Sequence, residues 1–371
     1  MPKKNDRRPD YVLLVAVVAL VVVGVLFVYS ASSYSAERTY GNKFYFATKQ
    51  AIGAAVGIVA LVVCCFLPMR LVRKMWIVGV VLSVVLLALV FVPGIGIENY
   101  GAKRWIGFGG FSMQPSEIAK FAFVLFAAVY MSRVDMSRPV CCLPVLGVGC
   151  LLCLLIIAEP NMSITVCMAA VMLAMLFIGG VKAKYFVLLL VPAVVAAPVL
   201  IFLEPYRVQR LLAFIDPWAS PKGEGYQLIQ SLYALGSGGF FGVGLFNSRQ
   251  KFRFLPFAES DFVFAVIGEE TGLVGCLILF ALYLLVIVRG VRIALNSCDR
   301  FGMLLGGGIT AVIAVQSIVN FAVVTGSVPP TGLPLPFVSY GGTSLVVFMS
   351  AVGLLLNLSK SCVEGRKNWI T

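Results

Sequence analysis

The residues best placed to do chemistry lie in Glu259-Ser260-Asp261, an acidic tripeptide that opens directly into the apolar run Phe262-Val263-Phe264-Ala265. An ionisable side chain at the mouth of a membrane-crossing helix is costly and calls for a task or a partner. Asp261 could remove a proton from a substrate hydroxyl, or it could simply cap the helix, since Asp is a favoured N-cap. The spacing leaves both readings open. The chain contains no histidine, so the usual general base and the commonest metal ligand are absent. Any chemistry must rest on carboxylates, Lys and Arg, hydroxyls, or a metal held by oxygen.

The segment leading to Asp261, residues 204–260, is the longest polar stretch, with Arg207, Arg210, Arg249, Lys251 and Arg253 among its cations. Such cations could rest on lipid headgroups, or clamp a diphosphate through bidentate contacts. Glu117 and Lys120 stand three apart and can pair on one helix face. Alternatively they supply a second carboxylate for a cation and a lysine for a phosphate. Glu269 and Glu270 lie about 12–13 Å beyond Asp261 at 1.5 Å per helical residue, deep enough to require partners or water. Glu159-Pro160-Asn161 fits a turn between two helices, with Asn161 or Ser163 capping the second.

The elements that must position these groups are membrane spans. The sequence is 60% hydrophobic and 12% charged, with mean hydropathy +1.00, whereas soluble chains are roughly a quarter charged. Apolar runs predict an all-α integral membrane protein of about ten spans. They fall near 11–29, 44–67, 76–92, 118–131, 140–158, 162–180, 185–203, 261–288, 303–325 and 343–358. Residues 1–371 then form one polytopic domain with a large external loop at 204–260. The net charge of +13 would point to nucleic acid in a soluble protein. Here it reflects Lys and Arg in loops that stay cytoplasmic. Placing both termini (1–10 and 359–371) inside makes every inside segment basic, through Arg70, Arg73, Arg133, Lys182, Arg289 and Lys360 among others. The ten cysteines avoid the long loop, so no disulfide framework is expected. Cys150 and Cys153, in an apolar run without a second pair, read as packing.

Gly, Pro and aromatic residues gather in the expected external segments. Residues 93–117 include Asn99-Tyr100-Gly101-Ala102-Lys103-Arg104-Trp105-Ile106, whose Trp105 beside two cations suits the headgroup zone. Residues 327–342 hold four prolines, which forbid a helix. Apolar irregular backbone is tolerated at membrane depth where protein or a wet cavity surrounds it, so this segment reads as a re-entrant plug or cavity wall. The glycines from Gly236 to Gly244 lack the Gly-Lys-Ser/Thr ending of a P-loop and suit turns and close packing.

Together these stretches resemble the SEDS family of membrane glycosyltransferases, and most closely its division and sporulation branch. The carriers are Gly101-Ala102-Lys103-Arg104-Trp105-Ile106, Gln114-Pro115-Ser116-Glu117-Ile118-Ala119-Lys120, Asp261-Phe262-Val263-Phe264-Ala265-Val266-Ile267-Gly268-Glu269-Glu270 and Pro334 to Ser344. The resemblance implies a peptidoglycan glycosyltransferase polymerising lipid II at the outer face of a bacterial inner membrane during cell division. A lipid II flippase and a non-catalytic scaffold are the alternatives. It implies Asp261 as general base, with Glu117, Lys120, Arg207, Arg210, Arg249, Lys251, Ser339 and Tyr340 toward the substrate. It also implies inversion with undecaprenyl diphosphate leaving, and a Mg or Mn ion on Asp261 and Glu117. Implied partners are a class B penicillin-binding protein, other division proteins and membrane lipid. Two departures stand out. Family members usually carry a His two positions before the acid, where Glu259 stands here. Many also have an Asp where Asn161 stands.

Overall fold

The computed structural model describes residues 8–99, 102–108, 111–186, 202, 205–252 and 254–360. Twelve α-helices are defined among them, joined by one small antiparallel sheet. Helix α1, Tyr11–Tyr40, is capped by Asp10, whose carboxylate accepts from the Leu13 amide at 3.0 Å. It continues about three turns past the expected span before ending at Gly41. The apolar run stops at Tyr29, but nothing in Ser30 to Tyr40 breaks a helix. Then follow α2 (Tyr45–Phe66), α3 (Met69–Lys74), α4 (Trp76–Leu89), α5 (Pro115–Met131), α6 (Leu143–Ala158) and α7 (Met162–Ile178). The seventh expected span, 185–203, lies almost wholly outside the described residues. After it come α8 (Pro205–Ile215), α9 (Tyr226–Gly238), α10 (Val263–Leu295), α11 (Arg300–Val324) and α12 (Gly342–Lys360). Among the described residues six helices are long and apolar enough to cross a membrane, with Trp76–Leu89 and Met162–Ile178 shorter but apolar.

The sheet was not expected. Strands β1 (Gly96–Asn99), β2 (Ala102–Phe108) and β3 (Phe111–Met113) run antiparallel, with Ile97 opposite Trp105 and Ile106 opposite Met113. Pairing satisfies backbone groups that would otherwise lie bare near lipid.

Contacts between segments sort the loops into the two sets expected from their charges. At one end, Arg289 pairs with Asp10 at 2.5 Å, the Asp10 amide reaches Ser359, and Arg73 pairs with Asp299. At the other, Arg104 meets the carbonyls of Glu159 and Pro160, Ser163 meets that of Thr331, and Thr343 meets that of Ser112. The described segments joined by these contacts therefore fall on two faces, and Asp261, covered by Gly332, belongs to the second.

The four-proline segment between α11 and α12 is irregular, and its second half is interior. Leu333, Leu335, Phe337, Val338 and Ser339 are buried in the bundle. Helix α1 admits it at Gly24, where a methyl group would lie 2.6 Å from the Phe337 carbonyl oxygen.

Candidate active site

The site is built on this buried segment. Backbone that has left the helical ladder needs side-chain partners, and three helices supply them. Gln50 of α2 donates to the Ser339 carbonyl at 3.1 Å and accepts from the Gly341 amide at 3.2 Å. Gln316 of α11 donates to the Pro334 carbonyl at 2.9 Å. Asn320, one turn further along α11, donates to the carbonyls of Leu333 at 2.8 Å and Asp261 at 2.9 Å. Tyr283 of α10 donates to the Pro336 carbonyl. Phe337 is held in the left-handed backbone region at φ 68°, a conformation that persists in a bulky residue only when its surroundings enforce it.

The acidic tripeptide is fastened to the same segment. The Tyr340 amide donates to the Glu259 carbonyl at 2.9 Å, and the Ser339 hydroxyl donates to the Ser260 carbonyl. Gly332, with φ +70°, covers one face of Asp261, whose Oδ2 would lie 3.3 Å from a methyl group there. Asp261 thus sits just ahead of α10, half-buried. The turn preceding it, and not the Asp261 side chain, forms the entry to the helix, so the N-cap reading is not realised.

Burial and the neighbouring Glu259 carboxylate push the Asp261 carboxyl up to about 6, against the pull of Arg210, Arg104 and Ser260. Glu259 is itself raised by burial. Glu159, in the turn between α6 and α7, is fully buried and rises to about 8 because desolvation outweighs Arg104. Neither of its carboxylate oxygens has a hydrogen-bond partner among the described residues. Two carboxyls flanked by cations with raised pKa values mark functional ground.

The sequence-chosen residues divide between two places. Arg210 of α8 acts on Asp261 across space and forms a 3.5 Å ion pair with Glu224. Arg207 lies on the same helix, its side chain outside the described ones. Glu117 and Lys120 are both buried and pair at 2.9 Å. The second Glu117 oxygen accepts from Ser344 at 3.0 Å, and Lys120 also donates to Gln316. Both Glu117 oxygens are thus engaged inside the bundle, one of them by the Lys120 ammonium, whose charge opposes a second cation there. Among the described residues no group of three or more His, Cys, Asp or Glu side chains could hold a metal. The Ser339 hydroxyl accepts from the Leu335 amide at 2.8 Å as well as donating to Ser260; it braces backbone. Tyr340 packs edge-on against Phe46, its hydroxyl raised to about 12 chiefly by burial.

Arg249 and Lys251 belong elsewhere. Their segment folds back on α10, where Glu269 accepts from the Arg249 amide at 3.0 Å and Glu270 from the Phe246 amide at 3.0 Å. Ser30 of α1 also donates to Glu270. The two deep acids hold the loop and have no part at the Asp261 site. The fold-back needs Gly272, whose φ of 66° interrupts α10 and whose missing side chain admits the Gly242 amide.

Residues 11–363 match the family model of the FtsW/RodA/SpoVE cell cycle proteins. The chain belongs to this family. Among FtsW/RodA/SpoVE relatives, it is 38% identical to stage V sporulation protein E of Bacillus subtilis over 96% of this chain and 98% of the relative. It is 40% identical to the probable peptidoglycan glycosyltransferase FtsW of Geobacter metallireducens, over 96% of each. In structure it matches a chain of a solved peptidoglycan synthase complex, described for coordinating polymerization and crosslinking, with TM-score 0.80, 28% identity and coverage of 96% and 99%. A crystal structure of a Thermus thermophilus RodA variant matches at TM-score 0.71 and 25% identity, with the same coverage. The fold is that of an all-α multi-pass membrane protein of the FtsW/RodA/SpoVE type.

Two residues of this family member were undervalued from sequence. The sequence puts Arg104 beside Trp105 in the headgroup zone and Glu159 in a turn; Arg104 acts on Asp261 and also hydrogen-bonds the Glu159 carbonyl, which ties that turn to the site. A signal existed in the lone carboxylate of Glu159 beside a proline, at a turn on the same face as Asp261.

Proposed function

We propose that the protein is a peptidoglycan glycosyltransferase of the bacterial cytoplasmic membrane, joining lipid II units at its outer face with Asp261 as general base. The face carrying Asp261 is the external one, and both termini are cytoplasmic. One observation carries the reading: Asp261 is a half-buried carboxyl raised to about 6, with Arg104 and Arg210 acting on it. A base is most useful when its pKa approaches the working pH. At neutral pH Asp261 is mostly ionised, yet it holds a proton far better than an ordinary carboxylate does.

In the reaction, an acceptor sugar hydroxyl attacks the anomeric carbon of the donor. The new carbon–oxygen bond forms as the bond to the diphosphate breaks, and the anomeric centre inverts. The hydroxyl proton passes to Asp261. The bonding pair departs with undecaprenyl diphosphate, whose growing charge is met by Arg104 and Arg210, with Arg207 on the same helix. Glu117 and Lys120 act at a distance by holding the proline-rich segment through Gln316. Asp261 and Glu117 would be the carboxylates to hold a Mg or Mn ion, which would offset the diphosphate charge. The solved synthase complex, described for coordinating polymerization and crosslinking, supports a crosslinking partner, which would be a single-span class B penicillin-binding protein acting on the product strand.

The test is Asp261→Asn in purified protein with its partner and lipid II. We expect loss of glycan polymer with unchanged thermal stability; full polymer yield would remove Asp261 from the mechanism. Polymer formation also separates this reading from a flippase, which would move lipid II between leaflets without joining sugars.

A further inference from the structure

A cavity of about 800 Å³ opens between α9 and the folded-back loop. Tyr233, Gly236 and Ser237 form one wall, and Asn247, Arg249 and Gln250 face it. Glu269, which reaches the floor, stands eight residues past Asp261, about 12 Å along a helix. Gly332 and Asn320, which touch Asp261 or its backbone, are not among the lining residues. The cavity is therefore separate from the site described above.

Its chemistry is that of an amphiphile site. The Arg249 backbone is anchored on Glu269, but its guanidinium is exposed and has no hydrogen-bond or ion-pair partner among the described residues. Glu269 forms no ion pair with it, because the Glu269 oxygens are turned into the Ser248 hydroxyl and the amides of Arg249 and Gln250. A planar guanidinium held on a fixed backbone matches a phosphate. Tyr233 of the lining is 52% exposed, and Phe240 and Phe241, two and three residues beyond the end of α9, are 71% and 84% exposed. An exposed Tyr suits the interfacial zone of a membrane, and exposed Phe suits an amphipathic surface lying there. An occupant must place an anionic head on Arg249 and an apolar chain along these rings.

We propose that this cavity binds a phosphate ester carried on an apolar chain, with Arg249 as its anion anchor. Two sources share that chemistry, a membrane glycerophospholipid and a prenyl phosphate. Occupancy ties the loop to the lipid surface and leaves the chemistry at Asp261 separate.

The full-length protein in detergent is titrated with short-chain phosphatidylglycerol, farnesyl phosphate and inorganic phosphate, and binding is followed by calorimetry. We expect at least one of the two lipids to bind more tightly than inorganic phosphate, and the tighter one names the source. Arg249→Ala should weaken lipid binding at least tenfold. Gly236→Phe should abolish it, since nothing lies within 4 Å of a side chain begun there. Asp261→Asn should bind lipid like the unaltered protein, so that loss of catalysis and loss of this site are read apart. Lipid affinity unchanged in both cavity variants would overturn the proposal. So would variants that lose association with a protein partner while binding lipid normally.

Discussion

Asn320 and Asp261, 59 residues apart in the chain, are joined by a single hydrogen bond of 2.9 Å from the Asn320 amide to the Asp261 backbone carbonyl. The same amide holds Leu333 at 2.8 Å, so one side chain registers the base against the segment that covers it. Replacing Asn320 with Ala leaves two carbonyls without this donor, each worth about 1–3 kcal/mol when buried. We expect a lower melting temperature and a fall in glycan synthesis of roughly a hundredfold, since misplacing a reacting group by about 1 Å costs that much. Thermal melts alongside polymerisation rates check this; normal activity in a folded Asn320→Ala protein would show that the bond does not position Asp261.

The raised carboxyl of Asp261 sets the direction of the pH response. Its acid form is inactive as a base, so activity should be present above about pH 6 and lost as pH falls through that value. The Glu259 charge contributes to the upward shift, second to burial. In Glu259→Gln the acid limb should therefore move to lower pH. Rates of polymer formation from about pH 3.5 to 8, a range that spans ordinary and raised carboxylates, measure the limb in each protein. A limb that stays fixed in Glu259→Gln would show that the two carboxyls do not interact.

Glu117 and Lys120 should behave as a unit of structure. Removing one partner of a buried ion pair costs about 3–5 kcal/mol, because the other charge is left uncompensated. Glu117→Gln and Lys120→Met are each expected to destabilise the protein strongly. The double substitution should cost less than the sum of the two. A double-mutant cycle of thermal or denaturant unfolding reads that coupling. Additive effects would mean that the two residues have separate tasks after all.

Much of this architecture was legible in the sequence, for reasons that differ between elements. Membrane spans announce themselves by composition, and the charge of each short loop placed it on one face or the other. Asp261 stood out because an acid at the mouth of an apolar run is unusual. The pairing of Glu117 with Lys120 follows from helical spacing. What stayed hidden depends on non-local contacts. Nothing in the spacing of Arg249 and Lys251 reveals that Glu269 and Glu270 draw their segment away from Asp261. Helix α1 outran its apolar run because helix formation needs no hydrophobicity once the chain has left the lipid. The β1–β3 sheet was missed because its glycines read as turns, while the short alternations between them were too brief to register as strands.

The anchoring of residues 246–250 on Glu269 and Glu270 imposes a timetable on biogenesis. The Phe246 amide waits for a carboxylate that is synthesised 24 residues later, while Ser30, which also grips that carboxylate, is made long before. During vectorial synthesis the loop emerges first, so its terminal arch cannot be completed until the following helix has been threaded and bent at Gly272. Maturation of the outward surface is thus a late event, gated by insertion of the eighth span and independent of how soon the loop itself is exported.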